Sequence, residues 1–200
     1  MQNLSDNVLL LEVNDELPQN AGEYIKILLA GSIDLSGAGA ETGGIAKNDW
    51  ITKFARGIVQ LTDPMTGILL LREKPFILIS TNYTPANGQP ILDNEEFVSK
   101  TNWTLNMANS ADGILINYLK KSQATWPLLL LGLLSGSGKC VVRCSQEYFA
   151  YGLVNIICQR NNIPLLPSAT TSVYGILSTM QALIPAFQQI GNGGPGGLPE

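Results

Sequence analysis

Residues 138–166 read GKCVVRCSQEYFAYGLVNIICQRNNIPLL, and they decide the fold class. The pattern predicts a strand over residues 139–144, a helix over residues 148–161 and a second, short strand over residues 163–166. Two strands joined through a helix form a parallel pair with a right-handed crossover. The segment therefore indicates an α/β domain with a mostly parallel sheet.

The same alternation extends toward the N-terminus. Strands are predicted over residues 25–31, where an apolar run stops at Gly31, and over residues 75–81 and 113–118. Helices are predicted from about Asp49, which is the expected N-cap, from about Asn94 to Asn109, and over residues 126–135. Residues 66–72 are also strand-like, and we interpret them as part of an inserted hairpin or as an extra strand.

The two ends of the chain extend this α/β domain, which we place at residues 24–167. Residues 1–23 are expected to form an N-terminal arm or an edge strand. The C-terminal helix, at residues 168–190, should run from about Thr171 to Ile190, with Thr171 or Ser172 as its N-cap and Gly191 ending it. Residues 191–200 form a Gly/Pro-rich tail that cannot bury anything by itself. The apolar face predicted for the helix consists of Val173, Ile176, Leu177, Met180, Leu183, Ile184 and Phe187.

Charged residues are scarce in this chain. Only 14% of residues are charged, which is well below the usual quarter, and the net charge is −4. Between Arg160 and Glu200 there is no charged residue at all. Such a surface is typical of a subunit buried in an assembly, so we expect a homo-oligomer or larger assembly formed through the C-terminal helix. No basic stripe is present, and we expect no duplex nucleic acid partner.

Histidine is absent and the chain has three cysteines, which limits the possible chemistry. A Ser-His or Cys-His nucleophile pair is excluded, and we expect no metal site. Cys140, Cys144 and Cys158 have apolar surroundings, which favours reduced, buried thiols in a reducing, cytoplasmic setting. The first residues lack the basic region of a signal peptide, and the longest apolar run, residues 126–134, is too short to span a bilayer, so no membrane partner is expected.

Two glycine patterns resemble nucleotide-binding loops without matching them. Gly37-Ala-Gly39 is followed by Gly43, one residue too late for the dinucleotide fingerprint. In Gly136-Ser-Gly-Lys139 the first glycine of a phosphate loop is missing, and Cys140 replaces the Ser/Thr that would hold magnesium. We therefore expect no cofactor.

A set of short patterns follows in a fixed order along residues 25–166. The set comprises the first strand and its end at Leu-Leu-Ala-Gly-Ser-Ile-Asp34, the helix of Trp50, the strand running into Asn82, Asn102-Trp103-Thr-Leu105, Ala111-Asp112 before a strand, Leu128-Leu-Leu-Leu-Gly132 and residues 138–166. In this order and spacing the chain resembles the nucleoside 2-deoxyribosyltransferase-like family. The resemblance is strongest at the first strand and at residues 138–166, and weak between residues 60 and 100.

This resemblance implies a three-layer flavodoxin-like fold and cleavage of the N-glycosidic bond of a nucleoside. In the family a glutamate attacks the anomeric carbon of the sugar and forms a glycosyl ester, while other carboxylates orient the sugar and protonate the base. The loop after the first strand contributes to the base pocket. The candidate ligand-binding residues are then Gly31, Ser32, Asp34, Asn82, Trp103 and Asp112.

The chain departs from the family pattern at the nucleophile. Leu130 stands where the family has its glutamate, and no acidic residue lies between Asp112 and Glu147. Thr104 also replaces a glutamate that related sequences tend to carry. Asp34 has an alternative interpretation as a turn residue, Asp112 as a strand-start cap, and Glu147 as a helix cap.

Three functions remain open at this stage. In the first, catalysis is lost and the fold serves as a binding or assembly subunit; on compositional grounds alone, a viral or phage structural component in a virion is one form of this hypothesis. In the second, the protein is an active nucleoside N-glycosidase or deoxyribosyltransferase that uses a displaced carboxylate such as Asp34, Asp93 or Asp112. In the third, it is a non-catalytic nucleotide-binding sensor or sponge.

Overall fold

The architecture is a seven-stranded, mostly parallel sheet between two layers of helices. The computed structural model describes residues 1–32, 50–62, 75–81, 94–120, 122, 125–168 and 171–188. The strands are β1 (Gln2–Ser5), β2 (Val8–Leu11), β3 (Ile25–Gly31), β4 (Phe76–Ser80), β5 (Gly113–Tyr118), β6 (Cys140–Cys144) and β7 (Leu165–Pro167). The helices are α1 (Trp50–Thr62), α2 (Glu95–Ser110), α3 (Trp126–Leu134), α4 (Tyr151–Arg160), α5 (Val173–Leu183) and α6 (Pro185–Gln188).

The strand order is β1-β2-β4-β3-β5-β6-β7, and every pairing except that of β1 with β2 is parallel. From β3 onward the order is that of flavodoxin-like folds, in which the first strand of the unit lies between the second and the third. The apolar cluster on one face of the sheet contains residues of α1 and α5, and the cluster on the other contains residues of α2, α3 and α4. The predicted three-layer flavodoxin-like architecture is therefore confirmed.

Central strands of this sheet are buried on both faces. Every residue of β4 and of β5 is buried, as expected for parallel strands covered by helices on both sides. Alternate residues of β3 belong to different clusters: Ile27 and Leu29 pack with α1 and α5, whereas Leu28 and Ala30 pack with the other layer.

Residues 1–23, interpreted from the sequence as an arm or an edge strand, add two strands to the sheet. β1 and β2 form an antiparallel hairpin, with β1 at the sheet edge and β2 in parallel register with β4. The indole nitrogen of Trp103 on α2 donates a hydrogen bond to the carbonyl of Asp15, at 2.8 Å. This contact ties the segment after β2 to the helix layer.

The C-terminal helix is shorter than the sequence pattern predicts. α5 ends at Leu183, and Ile184 has an extended backbone (φ −106°, ψ 115°) before α6 begins at Pro185. Proline has no backbone N–H and disfavours the helical conformation of the residue before it. The prediction of one continuous helix over residues 171–190 was therefore wrong. The predicted start was right, because Ser172 Oγ accepts a hydrogen bond from the Gly175 amide at 3.1 Å.

Several predicted features lie outside the described residues. They are the strand-like residues 66–72 of the inserted hairpin, the N-cap Asp49, the helix end at Gly191 and the tail at residues 191–200.

Candidate functional site

The strand order reverses between β3 and β5 of the sheet. The chain runs from β3 outward to β4 on one side, and from β5 outward to β6 on the other. In open α/β sheets, ligands bind outside the carboxyl ends of strands at such a reversal of strand order. The carboxyl edge between β3 and β5 is therefore the candidate site of this protein.

β3 and β5 approach each other closely at this edge. The Ser32 amide donates to the Asn117 carbonyl at 2.8 Å, and Gly31 is the register partner of Asn117. A Cβ atom on Gly31 would lie 2.3 Å from the Asn117 carbonyl oxygen and 3.0 Å from the Trp50 ring. The Trp50 indole nitrogen donates to the Ser32 carbonyl at 3.1 Å. Only glycine fits at residue 31, which ends β3 at the carboxyl edge of the sheet.

Asn117 carries a polar side chain into an otherwise apolar layer. It is fully buried, and neither its amide nitrogen nor its carbonyl oxygen has a hydrogen-bond partner within the described parts of the chain. Ser32 is also fully buried, and its hydroxyl is likewise unpaired there. Leaving a buried polar group unpaired costs about 1–3 kcal/mol. Buried groups of this kind at the carboxyl edge of the sheet are suited to hydrogen bonds with a ligand or a bound water.

Arg143 extends this polar row onto the next strand. It is the register partner of Asn117 on β6, and paired strands lie about 4.8 Å apart. One terminal guanidinium nitrogen donates to the Ser168 carbonyl, whereas Nε is buried and unpaired among the described residues. Burial lowers the pKa of Arg143 from its usual value, but an arginine remains a cation at neutral pH. An unpaired N–H donor on a cation favours an anionic or oxygen-rich group.

The structure brings together two of the six sequence-predicted site residues, Gly31 and Ser32. Asp34 and Asn82 lie outside the described residues. Trp103 is half-buried on α2 and its indole nitrogen is occupied by the Asp15 carbonyl.

Asp112 lies at the opposite edge of the sheet. Its Oδ2 accepts a hydrogen bond from the Lys26 amide at 2.8 Å and pairs with Lys26 Nζ at 2.9 Å. Lys26 stands near the amino end of β3, whereas Gly31 ends that strand. A single ligand at the carboxyl edge cannot touch both ends of a seven-residue strand, which rises about 3.3 Å per residue. Asp112 therefore holds the starts of β3 and β5 together.

The nucleophile position of the resembling family is apolar here. Leu130 is fully buried and belongs to the apolar cluster shared by α2, α3 and α4. Tyr118, at the end of β5, donates its hydroxyl to the Pro127 carbonyl at 2.7 Å and so fixes the start of α3. Burial raises the pKa of Tyr118 far above its usual range, so the phenol stays neutral. Among the described residues, Leu130 thus packs in an apolar cluster.

Asn117 and Arg143 are the site residues that sequence reasoning missed. A signal for both was present, since each interrupts a strand that otherwise reads as a continuous apolar run: Ile-Leu-Ile-Asn117-Tyr and Cys-Val-Val-Arg143-Cys. Strands of a covered parallel sheet are apolar on both faces. A polar residue inside such a run therefore marks a candidate site. That Asn117 and Arg143 lie side by side could be learned only from the register of β5 and β6.

The thiols are buried structural groups. All three cysteines are free and buried, which confirms the burial predicted from the sequence. Burial raises the pKa of Cys144 to about 12 and that of Cys158 to about 11, and it also raises the pKa of Cys140. A thiol with such a pKa is not a nucleophile at neutral pH. Within the described ranges, no cluster of three or more His, Cys, Asp and Glu side chains is arranged to hold a metal ion.

Neither the available protein-family models nor the curated proteins contain a match to this chain. In the described parts of the chain, none of the helices has the length and apolar content needed to cross a bilayer.

Proposed function

We propose that this protein is a nucleoside 2-deoxyribosyltransferase-like protein that has lost catalysis and serves as a binding or assembly subunit. The observation that carries the proposal is the burial of Leu130 in an apolar cluster at the family's nucleophile position. Leucine cannot form a glycosyl ester in any protonation state, and removal of a covalent nucleophile costs orders of magnitude in rate.

The position of Asp112 supports the same conclusion. A displaced carboxylate would have to reach the sugar from the carboxyl edge, and Asp112 lies at the amino edge in an ion pair with Lys26. In the active-enzyme alternative the nucleophile is then another displaced carboxylate such as Asp34 or Asp93, and both of these lie outside the described ranges.

The polar row at the carboxyl edge favours a binding role. Asn117 supplies one acceptor and two donors, and Arg143 supplies a cationic donor beside it. A neutral nucleoside would leave the arginine without a counter-charge, whereas a nucleotide would bring one. We therefore place the nucleotide-binding alternative ahead of nucleoside binding. A role in a virion rests on composition alone and remains a hypothesis.

The test combines a turnover assay with a binding assay. The purified protein is incubated with deoxynucleosides and deoxynucleotides, and free base is followed by chromatography; none is expected. Binding of the same compounds is measured by calorimetry on the wild type and on Asn117→Leu. The matched control is Asn106→Leu, which changes an exposed asparagine on α2. Binding that is lost in Asn117→Leu and kept in Asn106→Leu supports the site, and equal binding by both variants contradicts it.

A further inference from the structure

The side chains of Asn117 and Arg143 lie on the same face of the sheet. Leu115 precedes Asn117 by two positions on β5 and belongs to the apolar cluster that packs with α1 and α5. Val141 stands in the same relation to Arg143 on β6 and belongs to the same cluster. Side chains two positions apart on a strand share a face. Because Asn117 and Arg143 are also register partners, their side chains stand side by side on the α1 and α5 face.

Arg143 has no anionic partner among the described residues. The ion pairs that these residues form with one another do not include it. One terminal nitrogen of its guanidinium donates to the neutral carbonyl of Ser168, and Nε is buried without a partner in the described ranges. Charges that are withdrawn from water are normally paired, because their desolvation is costly. The cation of Arg143 is therefore suited to an anion from outside these parts of the chain.

Asn117 adds a second buried donor beside this cation. Its side-chain amide can donate two hydrogen bonds, and within the described residues it donates none. The register neighbours of the pair carry no charge, since Gly31 stands next to Asn117 on β3 and Leu166 next to Arg143 on β7. At this level of the sheet, the guanidinium and the amide thus form a site with N–H donors and a positive charge.

We infer that the polar row of Asn117 and Arg143 binds a phosphate oxyanion, whose oxygens accept hydrogen bonds from Arg143 Nε and Asn117 Nδ2. This inference deepens the binding role proposed above and rests on it. An anionic oxygen satisfies both donors, and it supplies the counter-charge that a neutral sugar or base lacks. The phosphate is either free in solution or part of a nucleotide, and the two sources share this chemistry.

Titration with inorganic phosphate tests the inference on the purified full chain. Calorimetry at constant ionic strength, with chloride as the balancing anion, should show binding at millimolar phosphate or below. Arg143→Gln should raise the dissociation constant about 10- to 100-fold, as expected for loss of a charge-assisted hydrogen bond. The matched control is Arg160→Gln, which makes the same change at an exposed arginine in the last turn of α4 and should leave the affinity unchanged. Equal affinity in all three proteins overturns the inference, and so does a wild type that binds no phosphate.

Two further variants test the assigned donors. Arg143→Lys keeps the positive charge and has no donor at the position of Nε, so its affinity should fall between those of the wild type and Arg143→Gln. Asn117→Asp places a carboxylate of the same shape beside Arg143 and should abolish phosphate binding, because it pairs with the guanidinium and repels the anion. Circular dichroism verifies that the variants are folded. Wild-type affinity in folded Asn117→Asp overturns the assigned position.

Competition identifies the source of the phosphate. A deoxynucleotide and the matching deoxynucleoside are titrated into the protein in the presence of phosphate. Displacement by the deoxynucleotide alone assigns the oxyanion to a nucleotide. Phosphate that neither compound displaces is a free anion, so the inference stands while the nucleotide-binding part of the proposed function fails. Displacement by the deoxynucleoside as effective as that by the deoxynucleotide overturns the inference, because the site then does not recognise the charge.

Discussion

Asn117 and Arg143 are register partners on adjacent strands at the carboxyl edge of the sheet, and both carry buried donor atoms that have no partner within the described residues. The first prediction concerns this relationship. Asn117→Leu should leave the ligand-free protein as stable as the wild type, or more stable by about 1–3 kcal/mol, because it removes an unpaired buried amide and keeps the branched shape of the side chain. Urea unfolding measures the change. A loss of several kcal/mol would mean that the amide is paired in the native protein, contrary to the site described above.

The second prediction concerns close packing at Gly31. Gly31→Ala should destabilise the fold by about 3 kcal/mol or more, since its Cβ would lie 2.3 Å from the Asn117 carbonyl oxygen. Gly132→Ala provides the control, because nothing lies within 4 Å of a Cβ at that position inside α3. Replacement of an interior helical glycine by alanine should stabilise the protein by about 0.5–1 kcal/mol. Thermal unfolding of the two variants measures the predicted loss of stability in Gly31→Ala and the predicted gain in Gly132→Ala. Equal changes in the two variants would contradict the close packing at Gly31.

The third prediction separates a structural from a ligand-binding role for Asp112. Asp112→Ala should lower the free energy of unfolding by about 1–2 kcal/mol, because it removes the acceptor of the Lys26 amide and a partly exposed ion pair. It should leave ligand affinity at the opposite edge unchanged. Denaturation and calorimetry on the same variant give both quantities. Reduced affinity with unchanged stability would instead place Asp112 in the binding site.

The fourth prediction follows from the buried thiols. The pKa values of Cys144 and Cys158 are raised by burial to about 12 and about 11, above the value of about 8.5 expected in the unfolded chain. Well below about pH 8.5 the thiols are protonated in both states and stability is unaffected. As the pH rises from there through about 11–12, the unfolded thiols ionise first, so stability should fall.

Thiol reactivity measures the same burial. A disulfide reagent at pH 8 should modify the native protein slowly, and in denaturant without reductant it should titrate three thiols. Replacing Cys144 by Ala should reduce the alkaline loss of stability. Rapid modification of the native protein at pH 8 would contradict the burial of these groups.

The sequence predicted those parts of the structure that depend on patterns among neighbouring residues. The strand at residues 113–118 was predicted with the observed bounds, and the unit at residues 138–166 within three residues at each boundary, because apolar runs and helical spacing are local patterns. The end of α5 was missed because an apolar stripe continued past Pro185, and the backbone effect of that proline outweighs the stripe.

The candidate site was less predictable, because it depends on strand order and register. Gly31 and Ser32 were predicted through a family resemblance. Asn117 and Arg143 are far apart in the sequence and become neighbours only when β5 and β6 pair in the sheet. Asp112 looked like a ligand-binding carboxylate in the sequence. Its ion pair with Lys26 is a contact across 86 positions of the chain, which local patterns do not contain.

The most direct test of the account is release of free base from nucleosides by the purified full-length protein. The account predicts none above the rate without protein, for deoxynucleosides and for deoxynucleotides, because Leu130 provides no nucleophile. Asp34→Ala and Asp93→Ala should then behave like the wild type. Turnover by the wild type that either substitution abolishes would contradict the account and identify an active enzyme with a displaced carboxylate.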